Sequence, residues 1–452
     1  MLFLPGVVVR IVNDSGIIAP PAYQRYPVYI GEGDPYRLRT DAKVLRYSGT
    51  SDPLPTVTTA QDIVSVGDLP GFTNYTEGVN YNLVGNTIDW IFGADQPTIG
   101  EYYYVTFTET RPASAYLPTL YFDENLIYAD HGNRTRTNGN MNDVSVGGYL
   151  GLNAGAKGVI IAQLNLSGAS DPDAPTGEEL ENAFLATREQ LEEITDWKLF
   201  LVPMSSGTLD TVTAANIFFN HAVLCSQPER KQERTVIASL PKGTDYQTAV
   251  TYSQSYSHER MVVPFPYAGT SKVVGYDTEY DTRFYVSSLA GKLCSVPIGR
   301  TISDEIVPNV LCTGTYKPTI QEFMVQGGVG PVSQKGEVVR NVYIGTSDTT
   351  NALTEDLGVQ DIKDYVKKYW REGLWAVYKN APITAGLLSN IVTSSEQILK
   401  YLKSQTIVDD YRKVAASQDL VEPRRVNLTG QIKPAYGLQY IDVTFTFVLN
   451  FT

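Results

Sequence analysis

Apolar and polar residues alternate without a fault over residues 440–451. Ile441, Val443, Phe445, Phe447, Leu449 and Phe451 fall on one side, and Tyr440, Asp442, Thr444, Thr446, Val448 and Asn450 on the other. A period of two predicts a half-buried β-strand. Residues 2–12 also predict a strand, because Val7, Val8, Val9, Ile11 and Val12 are β-branched and charge is nearly absent. A loop with Gly16 and Pro20-Pro21 follows, so no hairpin partner stands directly behind this first strand. A second strand, Pro27-Val28-Tyr29-Ile30, stops at Gly31-Glu32-Gly33.

Between the two ends the periodicity changes three times. From 41 to 110, short β-prone runs (Asp62–Val66, Tyr81–Val84, Thr87–Phe92, Tyr102–Thr108) are divided by Gly, Pro, Asn and Asp turns. That spacing suits a small sandwich or barrel. From about 157 to 345, apolar runs at Val159–Ala162, Lys198–Met204, Thr235–Leu240 and Arg260–Phe265 alternate with helical periods. Leu180, Phe184, Leu191 and Ile194 share one helix face; Val212, Ala215, Phe218, Phe219, Ala222 and Val223 share another. This alternation predicts a largely parallel sheet covered on both sides. Past 346 the 3.6 period carries Ile362, Tyr365, Val366, Tyr369, Trp370 and Val377, then Leu387, Leu388, Ile391, Ile398, Leu399 and Leu402.

The predicted fold is therefore α/β with an all-β insertion and an α+β C-terminal section. Its expected divisions are a 1–25 arm and linker, a 26–40 first core strand and a 41–115 inserted outer β domain. A 116–345 α/β domain, a 346–439 α+β domain and a 440–452 terminal strand follow.

Charge adds a distinction that periodicity lacks. The sequence carries a net charge of −13, which opposes phosphate binding and argues against a nucleic-acid partner. Residues 340–452 hold 13 Lys/Arg and 12 Asp/Glu, so the other residues carry 23 and 37. A C-terminal section free of the acidic excess is expected to face another protein, unless compact helical domains simply vary in charge. Tyr outnumbers Phe by 30 to 15, which suits half-wet protein contacts. Cys225, Cys294 and Cys312 share no CxxC spacing, so a reducing compartment is expected. No apolar run reaches the roughly 18 residues of a membrane span. Pro5-Gly6 and Arg10 interrupt what would otherwise suggest a signal peptide.

Candidate chemistry is sparse. Asp130-His131-Gly132 is similar to the histidine segment of subtilisin-like proteases, and Gly269-Thr270-Ser271 to their serine segment. A triad also needs an orienting carboxylate; Asp41 is available only from the β module, whose strands do not lead into the α/β sheet. Gly151 to Gly158 lacks the Gly-Lys-Ser/Thr of a phosphate loop and leads into a strand, so a turn is expected. Gly327-Gly328-Val329-Gly330 has no helix opening behind it, unlike a dinucleotide fingerprint. Asp277, Glu279 and Asp281, or Asp171 and Asp173, are oxygen ligands suited to Ca²⁺, but acidic loops are more often solvated. No catalytic residue, cofactor or metal ligand is expected.

A lone strand at a chain end exposes a row of unpaired backbone groups until some sheet receives it. Either each strand completes a sheet of its own domain, or it is donated to a neighbouring molecule. Docking residues 440–451 would make about six ladder bonds worth roughly 1 kcal/mol each. It would also bury six apolar side chains for roughly 9–18 kcal/mol. Ordering them costs roughly 12–24 kcal/mol, so one arm alone comes out near zero and several must engage together.

The order of parts resembles one family. Pro5-Gly6-Val7-Val8-Val9 is similar to the Pro-Gly-Val-Tyr-Val opening of contractile phage tail sheath proteins, and Pro27-Val28-Tyr29-Ile30-Gly31 to their next strand. Val339-Arg340-Asn341-Val342-Tyr343-Ile344-Gly345-Thr346 falls where the family has a strand ending near Gly-Ala-Arg-Thr, with the Ala-Arg pair absent. Ile432 to Phe445 resembles the closing segment, with Pro434 and Tyr436 ahead of a long alternating strand.

The resemblance implies a single-chain sheath subunit with a non-catalytic, subtilisin-like α/β domain. Such subunits stack as hexameric rings around an inner tail tube, bounded by baseplate and tail terminator proteins. They belong to a virion tail, or a phage-derived one, assembled in the bacterial cytoplasm. It also implies inter-subunit strands carrying Val7, Val8, Val9 and Ile11 at one end and Ile441, Val443, Phe445, Phe447 and Leu449 at the other. The innermost position it gives the C-terminal domain makes Lys363, Lys367, Lys368 and Arg371 candidates to face acidic groups on the tube. An inactive secreted hydrolase and a tail-surface adhesin are the alternative readings.

Overall fold

A computed structural model describes residues 23–436, apart from 40–43, 55–59, 69–73, 112, 137, 196, 206–208, 228–229, 231 and 350–355. Both terminal strands expected from the sequence, with Val7, Val8, Val9, Ile11, Ile441, Val443, Phe445, Phe447 and Leu449, lie outside the described residues.

An eight-stranded sheet forms the centre. Its spatial order is Val338–Asn341, Val329–Lys335, Met261–Phe265, Arg234–Ile237, Lys198–Pro203, Arg25–Gly31, Val159–Gln163 and Thr119–Tyr121. The inner six run parallel, and each outermost strand pairs antiparallel with its neighbour. Strands such as Val-Ile-Ile-Ala-Gln and Lys-Leu-Phe-Leu-Val-Pro are buried throughout, as a parallel sheet covered on both faces requires. Alternate residues serve opposite cores: Tyr29, Phe200 and Val202 face one, while Val28, Ile30, Leu199 and Leu201 face the other.

The first core is closed by the helices Asp143–Asn153 and Arg283–Ser295, and the second chiefly by Gly177–Leu191 and Thr211–Cys225. Thr176 and Glu179 form a capping box at the start of Gly177–Leu191, and Asp210 caps Thr211–Cys225. Both were expected as helices from their periodicity. Asp143–Asn153 and Arg283–Ser295 were not, because they are buried nearly all round and carry no polar stripe. The two cross backbone to backbone: a Cβ at Gly291 would lie 2.5 Å from the carbonyl oxygen of Gly151. Gly151, at the head of the expected 151–158 turn, thus lies inside the helix, where its smallness serves packing, while Gly155 at φ +99° makes the turn that follows.

The chain leaves the central sheet after Gly31 and builds a β module. Tyr36–Arg39, Val44–Arg46 and Ala60–Gly67 all pair with Tyr102–Thr110, while Ser51–Pro53, Thr87–Trp90 and Tyr81–Val84 form a second sheet. Pairing of Tyr36–Arg39 here means the module's sheet begins before residue 41. Residues from both sheets share one core around Trp90, whose ring meets Tyr47, Tyr75, Tyr81 and Tyr103 edge-on at 5.1–5.8 Å. Buried Asp52 accepts from Trp90 Nε1 at 3.1 Å, Tyr103 Oη at 2.8 Å and the Ser48 amide at 2.9 Å.

The C-terminal section comprises the helices Leu357–Tyr378 and Ala385–Ser404 and a hairpin of Val408–Gln418 with Val426–Pro434. Asp356 and Thr384 cap the two helices. Among the described residues no helix is long and apolar enough to cross a membrane.

Gly291→Ala is expected to destabilise the α/β core by roughly 1–3 kcal/mol, since the obstructing atoms are backbone and cannot rotate away. Chemical denaturation followed by circular dichroism would test it; an unchanged midpoint would contradict the described crossing.

Candidate functional site

Both ends of the described chain enter one small core. Tyr23 packs its ring 4.9 Å from that of Tyr365 and donates to Asp361 Oδ1 at 3.2 Å. At the other end Val408 pairs with Pro434, and the Ala435 amide donates to the Ile407 carbonyl at 3.1 Å. Tyr23, Ile432 and Val408 all belong to the cluster formed by Ile362, Tyr365, Val366, Tyr369, Ile398, Leu399 and Leu402. Residues 1–22 and 437–452 therefore join the protein beside the same hairpin.

The hairpin is an open template. Its 11- and 9-residue strands pair with each other, and no further strand joins either edge among the described residues. A two-stranded ribbon is marginal in water, so this one leans on the helices. Gly430 lies against Trp370, where a Cβ would sit 2.8 Å from the indole, and Tyr411 Oη donates to the Glu396 carbonyl at 3.4 Å. Charges at Asp409, Asp410, Arg412 and Lys413 and two register shifts roughen the ribbon, which discourages indiscriminate pairing. The sequence reading missed this hairpin. Its first strand is rich in charge and alanine, and the usable signals were Pro423 in the turn and the Val426, Leu428, Ile432 alternation.

A buried ionic seam fixes the hairpin's support to the central sheet. Asp361 and Asp364, on one face of Leu357–Tyr378, meet cations at the starting ends of three parallel strands: Arg25, Lys198 and Arg260. Arg260 grips Asp364 with two bonds, 2.7 and 2.9 Å, and Gln360 adds a third at 3.2 Å. Burial alone would raise the Asp364 pKa; Lys198 and Arg260 overcome it and hold the carboxyl down at about 2.

This docking decides where the four candidate tube-facing cations stand. Lys368 and Arg371 follow Asp364 by 4 and 7 positions, so they share its docked face. Lys368 is 4% exposed and pairs with Glu372 at 3.5 Å, and Arg371 pairs with Glu233 at 3.0 Å. They do not form an outward stripe with the others. Lys367 is exposed and Lys363 half-buried on a different face.

The crevice where ligands usually sit in such a sheet is filled. Counted in chain order, the parallel strands run 2-1-3-4-5-6 in space, so the order reverses between Arg25–Gly31 and Lys198–Pro203. There Arg283 contacts Asp143 at 3.1 Å, Asp281 at 3.0 Å and the Ser205 carbonyl at 3.1 Å, while Arg136 pairs with Glu32 at 2.7 Å. Burial pushes the Asp143 carboxyl up to about 7 against the pull of Arg283.

His131 stands nearby with both nitrogens engaged, Nδ1 with Gln163 at 2.7 Å and Nε2 with Tyr121 at 3.0 Å. Burial brings its pKa down to about 4, leaving a neutral ring that braces the entry to the β module. Ser271 donates its hydroxyl to the Asp281 carbonyl. The two protease-like echoes are thus consumed by separate structural bonds, and Asp41 lies outside the described residues.

Metal-ligand chemistry fares no better. Asp277 pairs with Lys272, Asp281 with Arg283 and Asp173 with Arg136. Glu192, His221 and Cys225 do converge, the latter two one helical turn apart, a spacing the sequence reading passed over. Yet Arg234 donates to His221 Nε2 at 2.6 Å. Burial, then Arg234, Arg188 and Arg230, depress the His221 pKa to about 3. A site ringed by guanidinium groups repels a cation, so these residues do not fit a metal.

Comparison with solved structures places this architecture. The anti-feeding prophage helical sheath in its contracted state matches with a TM-score of 0.54 at 11% identity, over 74% of this chain and 89% of that one. The contracted PVC sheath of an extracellular contractile injection system matches at 0.53 and 11%, over 74% and 87%. A sheath tail protein from Listeria innocua matches at 0.50 and 8%, over 92% and 93%. At these identities the fold is what is shared, and it is the fold of contractile sheath proteins. A family profile described as a domain of unknown function, DUF4815, matches residues 40–115, the β module. Sequence comparison with curated proteins gives no match.

Asp364→Asn is expected to leave Lys198 with only its longer pair to Asp361 and Arg260 with only Glu259, and to cost about 3–5 kcal/mol near neutrality. The folded pKa of Asp364 lies below its unfolded value. Its contribution is therefore present above about pH 4 and lost as pH falls toward 2. The stability gap between wild type and variant, read from urea titrations at several pH values, should shrink over that window. A gap constant down to pH 2 would contradict the seam.

Proposed function

We propose that this chain is the sheath subunit of a contractile injection machine of the phage-tail type, acting through rearranged packing against copies of itself. The arrangement that supports this most directly is the convergence of Tyr23 and Ile432, near the two ends of the described residues, on one core, beside a hairpin whose two edges no described strand covers. The last segment alternates apolar and polar residues over twelve positions, the pattern of a strand that needs a sheet with one buried face. The hairpin is such a sheet, half built.

In this reading each subunit donates its first and last segments to hairpins of neighbours by strand addition. Main-chain bonds supply the attachment, and joint engagement of several strands overcomes the ordering cost of each. Subunits stack as hexameric rings around an inner tube with the C-terminal domain innermost, bounded by baseplate and terminator proteins. On contraction they turn as near-rigid bodies while the exchanged strands keep them joined, and the tube is driven through the target envelope. The ionic seam suits that motion, because helix and sheet are bonded through buried charges whose separation is costly. No step calls for an active site, in keeping with the structural duties of His131 and Ser271. Of the four candidate cations, Lys363 and Lys367 remain suited to an acidic tube surface.

Deleting residues 1–12 or 440–452 should leave a folded, monodisperse subunit that no longer forms sheath-like tubes in electron micrographs. Normal tubes from either truncation would overturn the strand-exchange mesh. Lys363→Glu combined with Lys367→Glu should slow assembly templated by the tube at low salt; unchanged kinetics would remove the tube-facing role.

A further inference from the structure

A rigid apolar knob stands at the tip of the hairpin. Leu420 is 100% and Val421 93% exposed, so both side chains stand in solvent. The loop holding them is tightly bonded. Asp419 accepts from the amides of Val421 at 2.8 Å and Glu422 at 2.9 Å, and from Asn427 Nδ2 at 2.8 Å. The Asp419 amide donates to the Arg425 carbonyl, the Arg425 amide to the Glu422 carbonyl, and Gln418 Nε2 to the Pro423 carbonyl. Two adjacent aliphatic side chains on a preorganised loop lose little freedom on docking, which marks a binding element rather than a slack turn. Arg424 is committed to Glu422 at 3.1 Å, whereas exposed Arg425 makes no ion pair among the described residues.

The opposite shape lies at the edge of the central sheet. A groove of about 310 Å³ opens beside the edge strand Thr119–Tyr121, with Leu120, Ile160, Ile194 and Trp197 as its apolar walls and Pro118 and Glu193 at its rim. At about 30 Å³ per water it holds the equivalent of about ten waters, ample for the seven side-chain carbons of one Leu and one Val. Glu193 is exposed and makes no ion pair among the described residues.

We propose that Leu420 and Val421 of one subunit seat in this groove on a second copy of the chain, with Arg425 meeting Glu193 across the contact. Knob and groove are different surfaces, so the contact is head to tail and propagates into a ring or a helix instead of closing as a pair. It rests on the self-assembling reading above and adds to it a second contact, independent of strand exchange, between the C-terminal hairpin and the α/β domain of a neighbour. Matched shape and opposite charge favour a copy of this chain over a foreign partner.

The test uses the full chain with Leu420→Cys and Pro118→Cys together; the three native cysteines are buried and leave the introduced thiols as the reactive pair. Under mild oxidation the double variant should give a ladder of disulfide-linked multimers on a non-reducing gel, and each single variant no more than a dimer. Adding Arg425→Glu should reduce the ladder at least tenfold, and adding Glu193→Arg to that should restore it, with unfolding temperatures unchanged. Tubes in micrographs without a ladder would sink this contact and spare the sheath reading. A ladder without tubes would do the reverse, and the absence of both would remove the two together.

Discussion

Asp361 and Asp364 are carboxylates in a place where water cannot solvate them. Such groups persist only when cations are brought to them, and here Arg25, Lys198 and Arg260 arrive from the starting ends of three separate strands. The helix that carries them is consequently fixed in both position and rotation against the sheet. Everything C-terminal inherits that placement: the second helix, the hairpin packed over Trp370, and the point where the last segment departs. Arg25 also immediately follows the first segment, so the same seam locates where residues 1–22 join.

The far ends of the strands are sealed by a comparable device with a different consequence. At the reversal of strand order, where an open α/β sheet leaves room for a ligand, Arg283 and Arg136 bind Asp143, Asp281 and Glu32 instead. His131 and Gln163 continue the polar packing toward the stem of the β module, through the Gln163 bond to the Asp34 carbonyl. Charge is thus spent on joints between elements. What remains for interaction with other molecules is carried on the outside, in the open edges of the hairpin, its apolar tip and the groove beside Thr119–Tyr121.

Tyrosine serves both purposes. In the β module four tyrosine rings surround Trp90, and one hydroxyl satisfies Asp52. Tyr29 reaches through the closest helix packing to the Ser287 carbonyl, and Tyr23 links the first segment to Asp361. Several of the tyrosines thus serve the interior as buried rings with a bonded hydroxyl, alongside the half-wet contacts that composition suggested.

Local pattern was sufficient wherever burial follows chain periodicity. Val159–Gln163, Lys198–Pro203 and Met261–Phe265, the helices at 177–191 and 211–225, and the amphipathic pair at 357–378 and 385–404 were legible because each shows its buried face as a run or a period. The sheath likeness was legible in the order of the parts. The helices at 143–153 and 283–295 and the 408–434 hairpin were hidden for opposite reasons: the first two are buried all round and lose their period, while the hairpin is so exposed that little selects apolar residues. Nor could sequence say that Lys368 and Arg371 turn inward while Lys367 faces out. Aspartates four and seven positions away set that face, through cations up to 336 residues distant in the chain. Periodicity records which side of an element is buried; only the folded chain decides against what.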